Sequence, residues 1–320
     1  MLGVNLVSIK ASQKLSCFLR EHRVTLKDVT FGVCASGRVG STSAEEQSRG
    51  RHKCASRYPD LRLAWARFAL FRDWLLECAE CRGNVLVCDA RDVFFQANPF
   101  ARPLGAPLLL FAEHWEQTTA HWMMGTVKPC TGFDLKRPRR PMLCSGSTMG
   151  SREALLGYLA LMHEELQRWS RSAPICSLSL RPGSDQDVHN YLHYSGKLQA
   201  LGARVTADRE GAVHTIGFLA AKLSRAWQQA TRGSGQAAMI AATLGLPAAV
   251  APLLSELNRT IRKGKGELPR YPPASVLPRL LAALGLTEPD GRGGVHLANL
   301  DGSPSPVVHQ YDRLGTGAYG

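Results

Sequence analysis

The chain lacks most of the signals that place a protein at a glance. Its opening stretch, MLGVNLVSIKASQKLSCFLREH, is broken by polar and charged residues every few positions. An export leader needs an apolar run of ~7–15 residues, so none is expected here. The only CxxC, Cys78 to Cys81, has no second CxxC or HxxxH to complete a zinc tetrahedron. There is no internal repeat or extended low-complexity tract, and the composition argues against a disordered tail protein, a collagen or a coiled coil. Acidic residues are also in short supply, 26 against 39 Lys and Arg, leaving a net charge of +13.

What remains is the composition of a packed protein: 320 residues, 44% hydrophobic and 20% charged. A chain of that length can bury a sizeable core as one large domain or two smaller ones. The basic balance favours polyanionic ligands, and nucleotide phosphates satisfy it as well as nucleic acid does. The basic residues are scattered, and no RNA-recognition or helix-turn-helix pattern accompanies them. Nucleic acid is therefore not an expected partner.

Along the chain, Val29 to Cys34 alternates as a strand does and is followed by a Gly/Ser/Arg-rich loop to about Arg57. Leu61 to Glu80 reads as a helix with Leu61, Trp65, Phe68 and Leu75 on one side. Asn84 to Cys88 is a short apolar run ending in acids, and Pro107 to Phe111 is another, ending at Glu113. Ser151 to Trp169 carries Leu155, Leu159, Met162, Leu166 and Trp169 at steps of four and three, the seam of an amphipathic helix. Strands alternating with helices predict an α/β sheet. Gly233 to Leu254 holds 22 residues without a charge, nominally enough for a bilayer. Pro247 and Pro252 interrupt it, so two short buried or docking helices are expected instead, followed by a basic Pro/Gly-rich linker from Arg262 to Pro273.

Four constellations could carry chemistry. In Val85-Leu-Val-Cys-Asp89-Ala-Arg91-Asp92, two carboxylates three apart at a strand's mouth suit a hard divalent cation that also holds phosphate. The plainer alternative is that Asp89 caps the turn while Arg91 and Asp92 pair in solvent. In Ser184-Asp185-Gln186-Asp187, the Ser and the Asp three later form a capping pattern, yet Asp185 and Gln186 would stand in a helix's first turn beside free N–H groups. Ser145-Gly146-Ser147 is a small-residue turn that lets a ligand approach the backbone. Val307-Val308-His309 places a histidine at the end of a short buried run, where a lone His is more often structural than a ligand.

In this order, VLVCDARDVFFQANPF, CSGSTMGS, SDQDVHNYL and DGSPSPVVHQYDR, the chain resembles plant and algal nucleotide-diphospho-sugar transferase-like proteins of the GT-A fold, and more remotely the glycogenin-like transferases. The resemblance implies a Rossmann-like, mostly parallel central sheet flanked by helices, with a helical insertion. The implied organisation is an N-terminal extension over 1–28, a nucleotide-sugar-binding core over 29–219, an insertion and linker over 220–290 and a completing segment over 291–320. It implies Mn2+ (or Mg2+) held by Asp89, Asp92 and His309, although Arg91 stands where a tight Asp-x-Asp would have its second acid. Asp185 and Gln186 match the dyad at the reacting sugar, Ser145 and Gly146 the donor-sugar turn. Arg67, Arg72 and Arg91 would serve the nucleotide side.

The implied activity is transfer of a sugar from a nucleotide diphosphate, a UDP-sugar favoured, to a glycan or protein acceptor. Two other classes stay open: a phosphohydrolase of the haloacid-dehalogenase type, whose strand-end Asp-x-Asp is here displaced by one, and a non-catalytic transferase-like binding protein. Family members commonly act in the Golgi lumen behind an N-terminal anchor, which is not visible in this chain; without one the expectation is cytoplasmic. In a secretory lumen Cys130 and Cys144 would be candidates to pair.

Overall fold

The computed structural model describes residues 2–4, 17, 20–21, 24–29, 31–33, 53–55, 57–61, 63–89, 92–120, 127–172, 176, 184–231, 236–262, 277–289 and 295–310. Most of the Gly/Ser/Arg-rich loop, most of the basic linker, and Arg91 lie outside them. The elements are β1 (Leu2–Val4), β2 (Leu26–Asp28), β3 (Phe31–Val33), β4 (Lys53–Ala55), α1 (Leu63–Glu77), β5 (Asn84–Cys88), β6 (Val93–Phe95), β7 (Leu108–Ala112), α2 (Val127–Thr131), β8 (Leu143–Ser151), α3 (Arg152–Arg171) and α4 (Ser184–Tyr194). They continue with β9 (Ala203–Thr206), β10 (Val213–Thr215), α5 (Gly217–Thr231), α6 (Ala237–Thr243), α7 (Val250–Arg262), α8 (Leu277–Ala283), β11 (Thr287–Pro289), β12 (Val295–Leu297) and β13 (Val307–His309). Two compact units result: residues 1–87, 104–110 and 118–204 in the first, and 88–103, 111–117 and 205–320 in the second.

The core of the first unit follows from its helical periodicity. Leu155, Leu159, Met162, Leu166 and Trp169 on α3 are all fully buried, and the helix packs against α1, which contributes Trp65, Phe68 and Ala69. Burial of side chains of this size is worth about 1.5–3 kcal/mol each relative to exposure. The Ser151 hydroxyl starts α3 by accepting from the Ala154 N–H at 3.2 Å, and Arg168 and Arg171 in the last turn suit its negative end. A four-stranded sheet in the order β5-β8-β7-β9 has β7 buried at every residue, so its apolar run needs no alternation. Asn190 on α4 clamps β8 by accepting from the Leu143 N–H at 2.9 Å and donating to the Leu143 carbonyl at 2.8 Å.

In the second unit, α5 to α8 bury Leu223, Trp227, Ile240, Val250, Leu254 and Leu280 in one cluster that also receives Val308 from β13. The uncharged stretch is broken into α6 and α7 as its prolines require. Pro247 falls between them and Pro252 sits in the first turn of α7, where its missing N–H costs nothing. Among the described residues no helix is long and apolar enough to cross a membrane.

The architecture is α/β, but the single mostly parallel sheet is not there. The strands fall into separate sheets: β1-β2, β3-β4, β11-β12, the three-stranded β10-β13-β6 and the four-stranded sheet. Among the strand pairs with described register, β3–β4, β6–β13 and β11–β12 are antiparallel, while β1–β2 and β10–β13 are parallel. The physical reason lies in the connections. A parallel neighbour needs a crossover of a dozen residues or more, and only residues 89–92 separate β5 from β6. The chain therefore turns into a different sheet, where β6 runs antiparallel to β13. This topology overturns the GT-A fold and the membership in the GT-A transferases that the resemblance implied.

Candidate metal centre

Three of the expected side chains gather in the second unit. Asp89 follows the last residue of β5, Asp92 precedes β6, and His309 ends β13. One potential ligand atom from each lies within 4.8 Å of the other two. An ion bonded at ~2.0–2.6 Å holds its ligand atoms up to ~4–5 Å apart, so the three fit around one cation. His309 Nε2 stands 3.6 Å from Asp92 Oδ1, beyond hydrogen-bond range, with the imidazole 1% and the carboxylate 14% exposed.

Strand pairing explains this convergence. His309 is registered against Val93 of β6 and Thr215 of β10, so the antiparallel return of β6 carries Asp92 to the end of β13. Val308 enters the helical cluster, and alternation along the strand turns His309 to the other face of the sheet. The next residue, Gln310, has a left-handed backbone (φ 62), uncommon outside Gly, Asn and Asp. Its N–H donates to the Asp92 carbonyl at 2.6 Å, which locks the two ligand-bearing segments together. A Cβ at Gly217 would collide with the Gln310 side chain, so the start of α5 packs directly on this turn. Gln96 holds the other end of β6: its amide donates to the carbonyls of Leu297 at 3.0 Å and Ser305 at 2.7 Å, and its oxygen accepts from the Leu297 N–H at 2.9 Å. Neither Gln96 nor Gln310 could be singled out from the sequence, because nothing in residue type marks a left-handed Gln or a cross-loop clamp.

The donor set is hard. The Cys88 thiol beside it is pushed up to about 11, first by burial and then by the charges of Asp89 and Asp92. The side chains that come together are two carboxylates and an imidazole. In this arrangement they could hold a divalent cation.

The remaining site candidates lie in the first unit or outside the description. Arg67 on α1 pairs with Asp185 of α4 at 2.6 Å and also donates to the Ser145 carbonyl at 3.3 Å. The Ser145 hydroxyl donates to the same Asp185 oxygen at 3.3 Å. Arg67, Ser145 and Asp185 are therefore one cluster, with Gly146 adjoining on β8. Gln186, beside Asp185, contributes its backbone carbonyl to the Asn190 amide at 2.8 Å. Arg72 is not part of this group: five residues from Arg67 on a helix, it faces elsewhere, and its charge is felt by Tyr58 and His163.

The cysteines also part from expectation. Cys130 pairs with Cys176, not Cys144, because Cys144 lies inside β8 with its side chain in the core. Cys78 and Cys81 form a disulfide just after α1. The chain matches no protein-family profile, no curated protein and no solved structure.

Proposed function

We propose that the chain is an enzyme that uses a divalent cation, Mn2+ or Mg2+, at Asp89, Asp92 and His309 to hold the diphosphate of a nucleotide-sugar donor while the sugar passes to an acceptor hydroxyl. The observation that carries this reading is the convergence of two carboxylates and an imidazole from three strand ends within 4.8 Å. A cation there offsets the negative charge that gathers on a departing diphosphate. Asp89 and Asp92 supply carboxylate oxygens, His309 an imidazole nitrogen, and the Gln310 N–H keeps Asp92 and His309 in register. The net charge of +13 supports an anionic ligand. A UDP-sugar is the favoured donor and a glycan or protein the acceptor. Two disulfides among the described residues support an oxidising, secretory-lumen setting.

The test is to incubate the chain with a panel of nucleotide sugars and MnCl2, and separately with p-nitrophenyl phosphate. Manganese-dependent release of nucleoside diphosphate, lost in Asp89→Asn, is the expected result. Turnover of p-nitrophenyl phosphate through an Asp89 phosphoenzyme would replace sugar transfer by phosphohydrolysis. Neither reaction, with Mn2+ bound, would make the chain a binding protein.

A further inference from the structure

We propose that Thr215 is a ligand-binding residue of the metal centre, its hydroxyl donating to an oxygen of the phosphate group that the cation holds. The inference rests on the cation reading above and adds the residue that would recognise the anion.

Thr215 ends β10 and is registered directly against His309 of β13 in a parallel pair. Registered neighbours present their side chains on the same face of a sheet. Since Val308 points into the helical cluster, that shared face is the one turned toward Asp89 and Asp92. The backbone continues the alignment, with the Ile216 N–H donating to the His309 carbonyl at 3.1 Å. Thr215 is 2% exposed, and its Oγ1 makes no hydrogen bond among the described residues. A buried hydroxyl left unmet costs stability, and valine would fill the same space without that cost. The hydroxyl is thus explained by a partner that arrives with the ligand. Phosphate oxygens only accept, Thr can donate, and both neighbouring acids already serve the cation.

The experiment compares wild type, Thr215→Val, Thr215→Ser and Thr215→Ala. Mn2+ alone is titrated by electron paramagnetic resonance, inorganic diphosphate with Mn2+ is titrated by calorimetry, and melting is recorded without ligands. The proposal expects Mn2+ affinity to stay within about twofold in all variants, since the hydroxyl is not a metal donor. Diphosphate affinity should fall roughly tenfold in Thr215→Val and Thr215→Ala, recover in Thr215→Ser, and Thr215→Val should melt no lower than wild type. Unchanged diphosphate affinity in both hydroxyl-free variants overturns the proposal, as does an equal loss of Mn2+ affinity. If wild type binds no Mn2+, the metal reading itself fails; if it binds Mn2+ but none of the variants differ, only the role of Thr215 does.

Discussion

Removing the Arg67 guanidinium should expose how much of the first unit depends on Asp185. The two groups meet at 2.6 Å with side chains 19% and 9% exposed. In Arg67→Met the carboxylate keeps, among the described residues, the Ser145 hydroxyl at 3.3 Å. Breaking a fully buried pair costs about 3–5 kcal/mol. Arg67 retains some water, so the expected loss is about 2–4 kcal/mol. Asp185→Asn keeps an oxygen for both partners and should cost about 1–2 kcal/mol. The double variant Arg67→Met/Asp185→Leu should be less destabilised than the sum of its singles, with a coupling of about 1.5–3 kcal/mol. Chemical denaturation followed by circular dichroism measures each free energy, and melting should fall on the order of 5–10 °C in Arg67→Met. Single losses below about 0.5 kcal/mol that simply add would refute the reasoning. A turnover defect in Asp185→Asn can be assigned to chemistry only where it exceeds the stability loss.

Burial lowers His114 to about 4, and His189 and His214 to about 3. Their folded values lie below the unfolded ~6.5, so the stability they contribute is full above that pH and is lost as pH falls toward 3–4. Denaturation midpoints measured from pH 8 to pH 4 should decline through this window; a flat profile would contradict the buried neutral imidazoles. Asp208 runs the other way, raised to about 6 chiefly by burial, so stability falls as pH rises from about 4 to 6. Asp208→Asn should stabilise the chain at pH 7.5 by about 2 kcal/mol, and a destabilised variant would refute the burial argument. The two disulfides among the described residues should differ by loop length. Cys130–Cys176 spans 46 positions and Cys78–Cys81 spans three, giving about 4 and about 2 kcal/mol by chain entropy. Paired Cys→Ser variants in urea test the order.

Local periodicity was the legible part of the fold. The α3 seam from Leu155 to Trp169 is wholly buried, because its spacing leaves the helix one way to hide it. The apolar run before Asp89 and the short run before His309 form strands that end in candidate ligands. Sheet topology was not legible, because strands of three residues such as β6 and β10 carry too little pattern to say which partner or direction they take. That direction depends on loop length, and the four residues 89–92 are at once a candidate ligand motif and a connection too short for a crossover. The same limit hid Thr215: its place beside His309 is a matter of register across about 90 residues. Cys176 was missed because pairing follows three-dimensional distance, and Cys144 was nearer to Cys130 in sequence only.

Manganese titration of the wild type beside Asp89→Asn and His309→Gln tests the central claim most directly. The account predicts saturable binding of one Mn2+ per chain, weakened by at least about tenfold in each variant, with circular dichroism unchanged. Wild type that binds no Mn2+, or variants that bind it as tightly as wild type, would contradict the metal centre at Asp89, Asp92 and His309.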